Sequence, residues 1–159
     1  MINKKIIKVV VVGTIYMALC FIFSYISFGP IQLRVSELLC LLAIENPIYI
    51  IGISIGCFIS NLLLSPLGLA DAIIGTLASV IGCLIGYLFR KIKIKDFPLL
   101  STITISLVNG IMIALEMNYI LDNSNIFIYS FIEIFISELI ILVFIGYPIY
   151  KKLLNLEKQ

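Results

Sequence analysis

Histidine is absent from this sequence of 159 residues. Its absence removes the commonest metal ligand and the commonest general base together. Charge is scarce as well, with 13% Asp, Glu, Lys and Arg against 62% hydrophobic residues. No C-x-x-C spacing occurs. The four cysteines, Cys20, Cys40, Cys57 and Cys83, lie singly inside apolar segments and read as small hydrophobes. No G-x-x-x-x-G-K-[ST] loop is found, so ATP hydrolysis by this chain is excluded as an energy source. Without Ser/His or Cys/His pairs or a cluster of metal ligands, no catalytic residue, metal or cofactor is expected, and the chain is not read as an enzyme. Any work it does draws on an ion gradient or on another subunit. The net charge of +2 points to no nucleic-acid partner. There is no internal repeat and no low-complexity segment.

What is present is hydrocarbon. A mean hydropathy of +1.19 belongs to an all-α integral membrane protein in contact with the lipid bilayer. The length holds about six spans of about 20 residues, which predicts a six-helix transmembrane bundle in a single domain over residues 1–159. The N-terminal apolar run is too long and continuous for a removable signal and reads as the first span, ending near Tyr25. A second apolar segment, residues 31–44, is short for a crossing helix and is expected to be tilted, broken or partly inserted. Further spans are predicted over Ile48–Leu64 and residues 69–89, 98–119 and 126–150. Six spans with both termini inside place every basic residue except Arg34 on the inner side, a strong positive-inside asymmetry.

That exception sits in Ser27-Phe28-Gly29-Pro30-Ile31-Gln32-Leu33-Arg34-Val35-Ser36-Glu37, between two apolar runs. Gly29-Pro30 is expected to break one helix and preset the next. On a helical path Arg34 and Glu37 share a face. Two readings fit the pair: a charged mouth that closes over a polar ligand, or an interfacial loop facing headgroups and water.

Ionisable residues inside spans cost about 2.5–3.5 kcal/mol at the bilayer centre on insertion scales, so each is a functional candidate. Thr102, Ser106, Asn109 and Glu116 follow one another at spacings of four, three and seven, on one inward-facing stripe. Glu133 lies about seven residues inside the last span, and Glu138 about 140° further round, facing elsewhere. Asp71, at the start of a span, suits helix capping as well as ligand contact, and Asn61 is equally open. Glu37, Asp71, Glu116, Asp122 and Glu133 thus share the outer half with one cation. Buried carboxylates accept bidentate N–H donors, which favours a small donor-rich solute, neutral or cationic, over an anion. Small residues recur four apart at Gly52, Gly56 and Ser60, at Asp71, Gly75 and Ser79, and more weakly at Thr14 and Ala18. Such stripes mark close helix contacts within the bundle, and a face docking a partner looks the same.

The run from Ser27 to Glu37 resembles the first-loop signature of the QueT family. A second block resembles it too: Gly56-Cys57-Phe58-Ile59-Ser60-Asn61, Ser65-Pro66-Leu67-Gly68-Leu69-Ala70-Asp71 and Gly75-Thr76-Leu77-Ala78. These proteins are the queuosine-precursor substrate-binding (S) components of energy-coupling factor (ECF) transporters. The resemblance implies a six-helix S component in the bacterial cytoplasmic membrane that captures a deazaguanine from outside, in a pocket drawn from Arg34, Glu37, Asn61, Asp71, Asn109, Glu116 and Glu133. It also implies docking of the first three helices, through Thr14, Ala18, Gly52 and Gly56, onto a transmembrane T component powered by two cytoplasmic ATPases. Family members often carry Ala-x-x-x-Ala in the first helix, where this chain has Thr14 and Ala18. The rival readings are an S component for another vitamin-like solute, a self-sufficient proton-coupled transporter using Glu133 and Glu138, a purely structural membrane protein, and a carboxylate-only membrane enzyme.

Overall fold

The computed structural model describes residues 4–28, 32–121 and 126–157, with the side chains of 121 and 153–157 excepted. The expected break at Gly29-Pro30 and the loop around Asp122 lie outside these residues. Among them every regular element is helical: α1 (Lys4–Ile22), α2 (Ser24–Ser27), a 3-10 turn (Val35–Leu39), α3 (Cys40–Glu45), α4 (Ile48–Leu64), α5 (Leu69–Leu88), α6 (Leu99–Leu121), α7 (Ile126–Leu139), a π turn (Ile140–Ile145) and α8 (Gly146–Glu157).

Among the described residues four helical stretches are long and apolar enough to cross a membrane: Lys4–Ile22, Leu69–Leu88, Leu99–Ile120 and the continuous Ile126–Lys152. Ile48–Leu64 is a shorter apolar helix. The second predicted span is not one helix. Residues 32–34 form no regular element, a single 3-10 turn follows, and α3 adds only six residues. This broken path is what an apolar segment too short to cross can adopt when its backbone is buried in protein instead of lipid.

The bundle is held in order α1–α4–α5–α6–α7, with the broken segment packed inside it. Its 3-10 turn rests on α1 and on the π turn, while α3 rests on α4 and α5. Glycines set the close approaches. A Cβ at Gly52 would lie 2.5 Å from the Val9 carbonyl oxygen, and one at Gly56 would lie 2.8 Å from that of Gly13. Gly52 and Gly56 are therefore covered by α1, and the docking role expected for them does not fit. Thr14 and Ala18 stay exposed on α1. Gly68, at φ +54°, turns the chain between α4 and α5 in a conformation that L side chains rarely adopt.

The distribution of polarity is inverted relative to a protein in water. Leu63, Leu88 and Phe144 are 63%, 71% and 75% exposed, whereas Glu37, Asp71, Glu116 and Glu138 are 2%, 2%, 2% and 5% exposed. Such a surface is stable only against hydrocarbon, and the polar side chains must find partners inside.

At the lysine-rich end, Lys93 Nζ donates to Glu45 Oε1 at 2.9 Å and to Tyr150 Oη at 2.8 Å, and the Tyr150 hydroxyl also donates to Glu45. Phe97 packs edge-on against Tyr147 and Tyr150. This clasp ties the end of α3 to the α5–α6 connection and to α8.

Candidate functional site

The broken segment packs inside the bundle, its 3-10 turn against α1 and the π turn, and so buries the Arg34 and Glu37 side chains there. There they meet α5, α6 and α7. Arg34, Glu37, Gly75, Asn109, Ile113, Ile134 and Glu138 line a narrow cleft of about 20 Å3. Gly75 is small for a reason: a Cβ there would lie 2.6 Å from Asn61 Nδ2 and 3.4 Å from Arg34 Nη1.

Glu37 is fully engaged by protein. Tyr16 Oη donates to its Oε1 at 2.5 Å, Ser79 Oγ donates to the same oxygen at 3.5 Å, and Cys40 Sγ donates to Oε2 at 2.9 Å. Asp71 is not a helix cap. Its Oδ2 accepts from Ser65 Oγ, and its Oδ1 faces Arg34 Nη2 at 4.0 Å. Asn61 supports it from behind, donating from Nδ2 to the Asp71 carbonyl at 2.9 Å. Asn109 Nδ2 donates to Glu138 Oε1 at 2.6 Å. The Arg34 guanidinium lies 5.6 Å from the centre of the Phe28 ring.

Several buried polar atoms around this point have no hydrogen-bond partner among the described residues: Arg34 Nη2, Asp71 Oδ1, Asn109 Oδ1 and both carboxylate oxygens of Glu116. Glu116 is buried on α6 and interacts electrostatically with Asp71 and Arg34. Left alone, each buried unsatisfied group costs about 1–3 kcal/mol, and more when charged. Arg34 Nη2 is a donor and the others are acceptors; of these residues Arg34 and Asn109 line the cleft with Ile113 and Ile134.

Of the residues expected from the sequence, Arg34, Glu37 and Asn109 line the cleft, and Asn61, Asp71, Glu116 and Glu133 do not. Asp71 stands behind it, facing Arg34 and held by Asn61. Glu133 is half-buried, its Oε1 accepts from the Gln32 backbone N–H at 3.2 Å, and Ser137 Oγ donates to the Gln32 carbonyl at 2.9 Å, so this part of α7 tethers the broken segment. Glu138, expected to face elsewhere, lines the cleft, and Tyr16 from α1 orients Glu37. Glu138 carried a signal, since it is a second carboxylate within a span. Tyr16 carried none, because a tyrosine in an apolar run reads as core.

A helical bundle with an apolar surface and buried polar side chains between its helices has the build of a membrane protein. The sequence matches the QueT transporter family over residues 6–155, and the chain belongs to that family. The "Queuosine precursor transporter QueT" of Lactococcus lactis subsp. cremoris (strain MG1363) is 40% identical over 91 residues, covering 55% of this chain and 53% of that protein. The chain thus matches about half the length of this curated relative. No solved structure matches it.

Proposed function

We propose that the chain is the solute-binding component of an importer for a queuosine precursor of the deazaguanine class. It forms one six-span domain in the bacterial cytoplasmic membrane with both termini inside, and works as an ECF-type S component with a T component and two ATPases.

The observation that carries this reading is the set of unpartnered polar atoms around Arg34. A guanine-type edge offers adjacent N–H donors beside a carbonyl oxygen. Asp71 Oδ1, Asn109 Oδ1 and Glu116 are acceptors for the donors, and Arg34 Nη2 is a donor for the carbonyl. The ring system would lie between Ile113 and Ile134. A cleft of about 20 Å3 holds about one water, so capture requires the cleft to widen. If the broken segment moves away from α7, its two hydrogen bonds at Gln32 break. Membership of the QueT family and the printed name of the lactococcal relative support the substrate class. On the partner side, Thr14 and Ala18 leave an exposed small-residue strip on α1 suited to close helix approach.

Uptake of labelled aminomethyl deazaguanine into vesicles tests the whole reading. It should require the T component and ATPases together with this chain. Uptake by this chain alone, abolished by an uncoupler, would instead establish the proton-coupled alternative.

A further inference from the structure

Three charged side chains line the cleft, Arg34, Glu37 and Glu138, so its lining holds one carboxylate more than it has cations. Arg34 does not offset the difference, because its guanidinium already faces a further carboxylate, Asp71, at 4.0 Å. The two lining carboxylates are in different situations. Glu37 is surrounded by three protein donors, from Tyr16, Ser79 and Cys40, shared between its two oxygens. Among the described residues Glu138 has one donor, the neutral Asn109 amide at 2.6 Å, and makes no ion pair. It is 5% exposed and lies near the middle of the continuous Ile126–Lys152 stretch. At such a depth a carboxylate is costly unless a proton or a cation compensates it.

Asn109 links this carboxylate to the rest of the cleft. Its Nδ2 is committed to Glu138, while its Oδ1 is buried without a hydrogen-bond partner. Oδ1 and the Glu138 carboxylate are therefore separated by a single amide group. A solute that donates a ring N–H to Asn109 Oδ1 brings its neighbouring atoms beside Glu138. An ammonium at that point would meet a charged acceptor in a water-poor setting, where such a contact is strongest. A neutral arm of the same shape would leave the carboxylate uncompensated, and an anionic arm would be repelled.

We propose that Glu138 is a specificity-determining residue that takes the ammonium group of a cationic solute while Asn109 Oδ1 takes a neighbouring ring N–H. The assignment rests on the deazaguanine reading above and adds to it a preference for a cationic arm over a neutral one. Glu37 is unsuited to the same task, because protein donors already hold its oxygens.

Calorimetric titration of the full chain in detergent with aminomethyl deazaguanine and with its hydroxymethyl analogue, similar in shape but uncharged, tests this. The aminomethyl form should bind roughly ten- to a hundredfold more tightly, the scale of one charged hydrogen bond. Glu138→Gln keeps an oxygen for Asn109 Nδ2 and removes the charge, so the two ligands should then bind about equally. A purely structural role for Glu138 would weaken both ligands and preserve their ratio, which would overturn the assignment. Glu37→Gln should leave the ratio unchanged, and loss of the preference there but not in Glu138→Gln would move the ammonium to Glu37. Equal binding of the two ligands by the unaltered protein would overturn the assignment without reference to any variant and leave the deazaguanine reading standing. Binding of neither ligand would overturn that reading and the assignment with it.

Discussion

Arg34 Nη2 and Asp71 Oδ1 face each other at 4.0 Å deep in the bundle, and neither atom makes a hydrogen bond among the described residues. An ion pair held just short of contact keeps both charges compensated and leaves both edges available. Arg34 is also the one cation among the residues lining the cleft. Arg34→Gln should lower affinity for a guanine-type ligand ten- to a hundredfold, the effect of losing a charged hydrogen bond worth about 1.5–3 kcal/mol. It should also lower thermal stability, because Asp71 and Glu116 lose their counter-charge. Arg34→Lys should restore the stability and only part of the affinity, since an ammonium lacks the planar fork. Calorimetric titration and thermal unfolding of both variants check this.

Glu116 and Glu133 should separate cleanly. Glu116→Gln keeps the shape but replaces an acceptor with a donor at an unpartnered site, and affinity should again fall ten- to a hundredfold. Glu133→Gln keeps an oxygen for the Gln32 N–H, so affinity should change by less than about threefold. Titration of the two variants side by side measures the difference, and equal losses would remove Glu116 from the site.

Gly52 and Ala18 should respond differently to bulk. Gly52→Ala puts a methyl group 2.5 Å from a backbone oxygen of α1, which cannot yield cheaply. Overpacking of this kind costs about 1–3 kcal/mol, read as a lower unfolding temperature in detergent. Ala18→Trp sits at an exposed position, so unfolding should be unchanged while co-purification with the T component is lost.

The Glu45–Lys93–Tyr150 clasp gives a pH signature. Partial burial pulls the Lys93 ammonium down, but hydrogen bonds to Tyr150 and Glu45 outweigh it, and its pKa ends above the ordinary lysine value. A raised folded-state pKa contributes stability that is complete below the unfolded value of about 10.4 and is lost as pH rises through the folded one. Lys93→Met should therefore unfold at a slightly lower temperature than the unaltered protein from neutral pH to about 9, with the gap closing only above about 10.4. Because Lys93 is partly exposed, the gap should be small and should shrink with added salt.

Much of this architecture is written in the hydrophobic runs. The long helices appear where the apolar stretches are, and the weakness of the second segment is visible in its length alone. The polar stripe on α6 is also legible, because Thr102, Ser106, Asn109 and Glu116 obey the helical period and polar groups must face inward in lipid. Tertiary partners are less so. Glu133 and Glu138 look alike in sequence, and only the docking of the broken segment makes one a backbone tether and the other a cleft residue. Gly52 and Gly56 carry the same small-residue pattern whether they meet α1 or another protein. Glu37 invites a ligand role by its charge, yet Tyr16, Ser79 and Cys40 already occupy its oxygens.

The central claim is that the unpartnered atoms around Arg34 receive the polar edge of a deazaguanine. Native mass spectrometry of gently purified protein, before and after addition of aminomethyl deazaguanine, tests it most directly. The account predicts a one-to-one complex in the unaltered protein, strongly weakened in Arg34→Gln and Glu116→Gln but kept in Glu133→Gln. No complex with the unaltered protein, or one equally strong in all three variants, would contradict it.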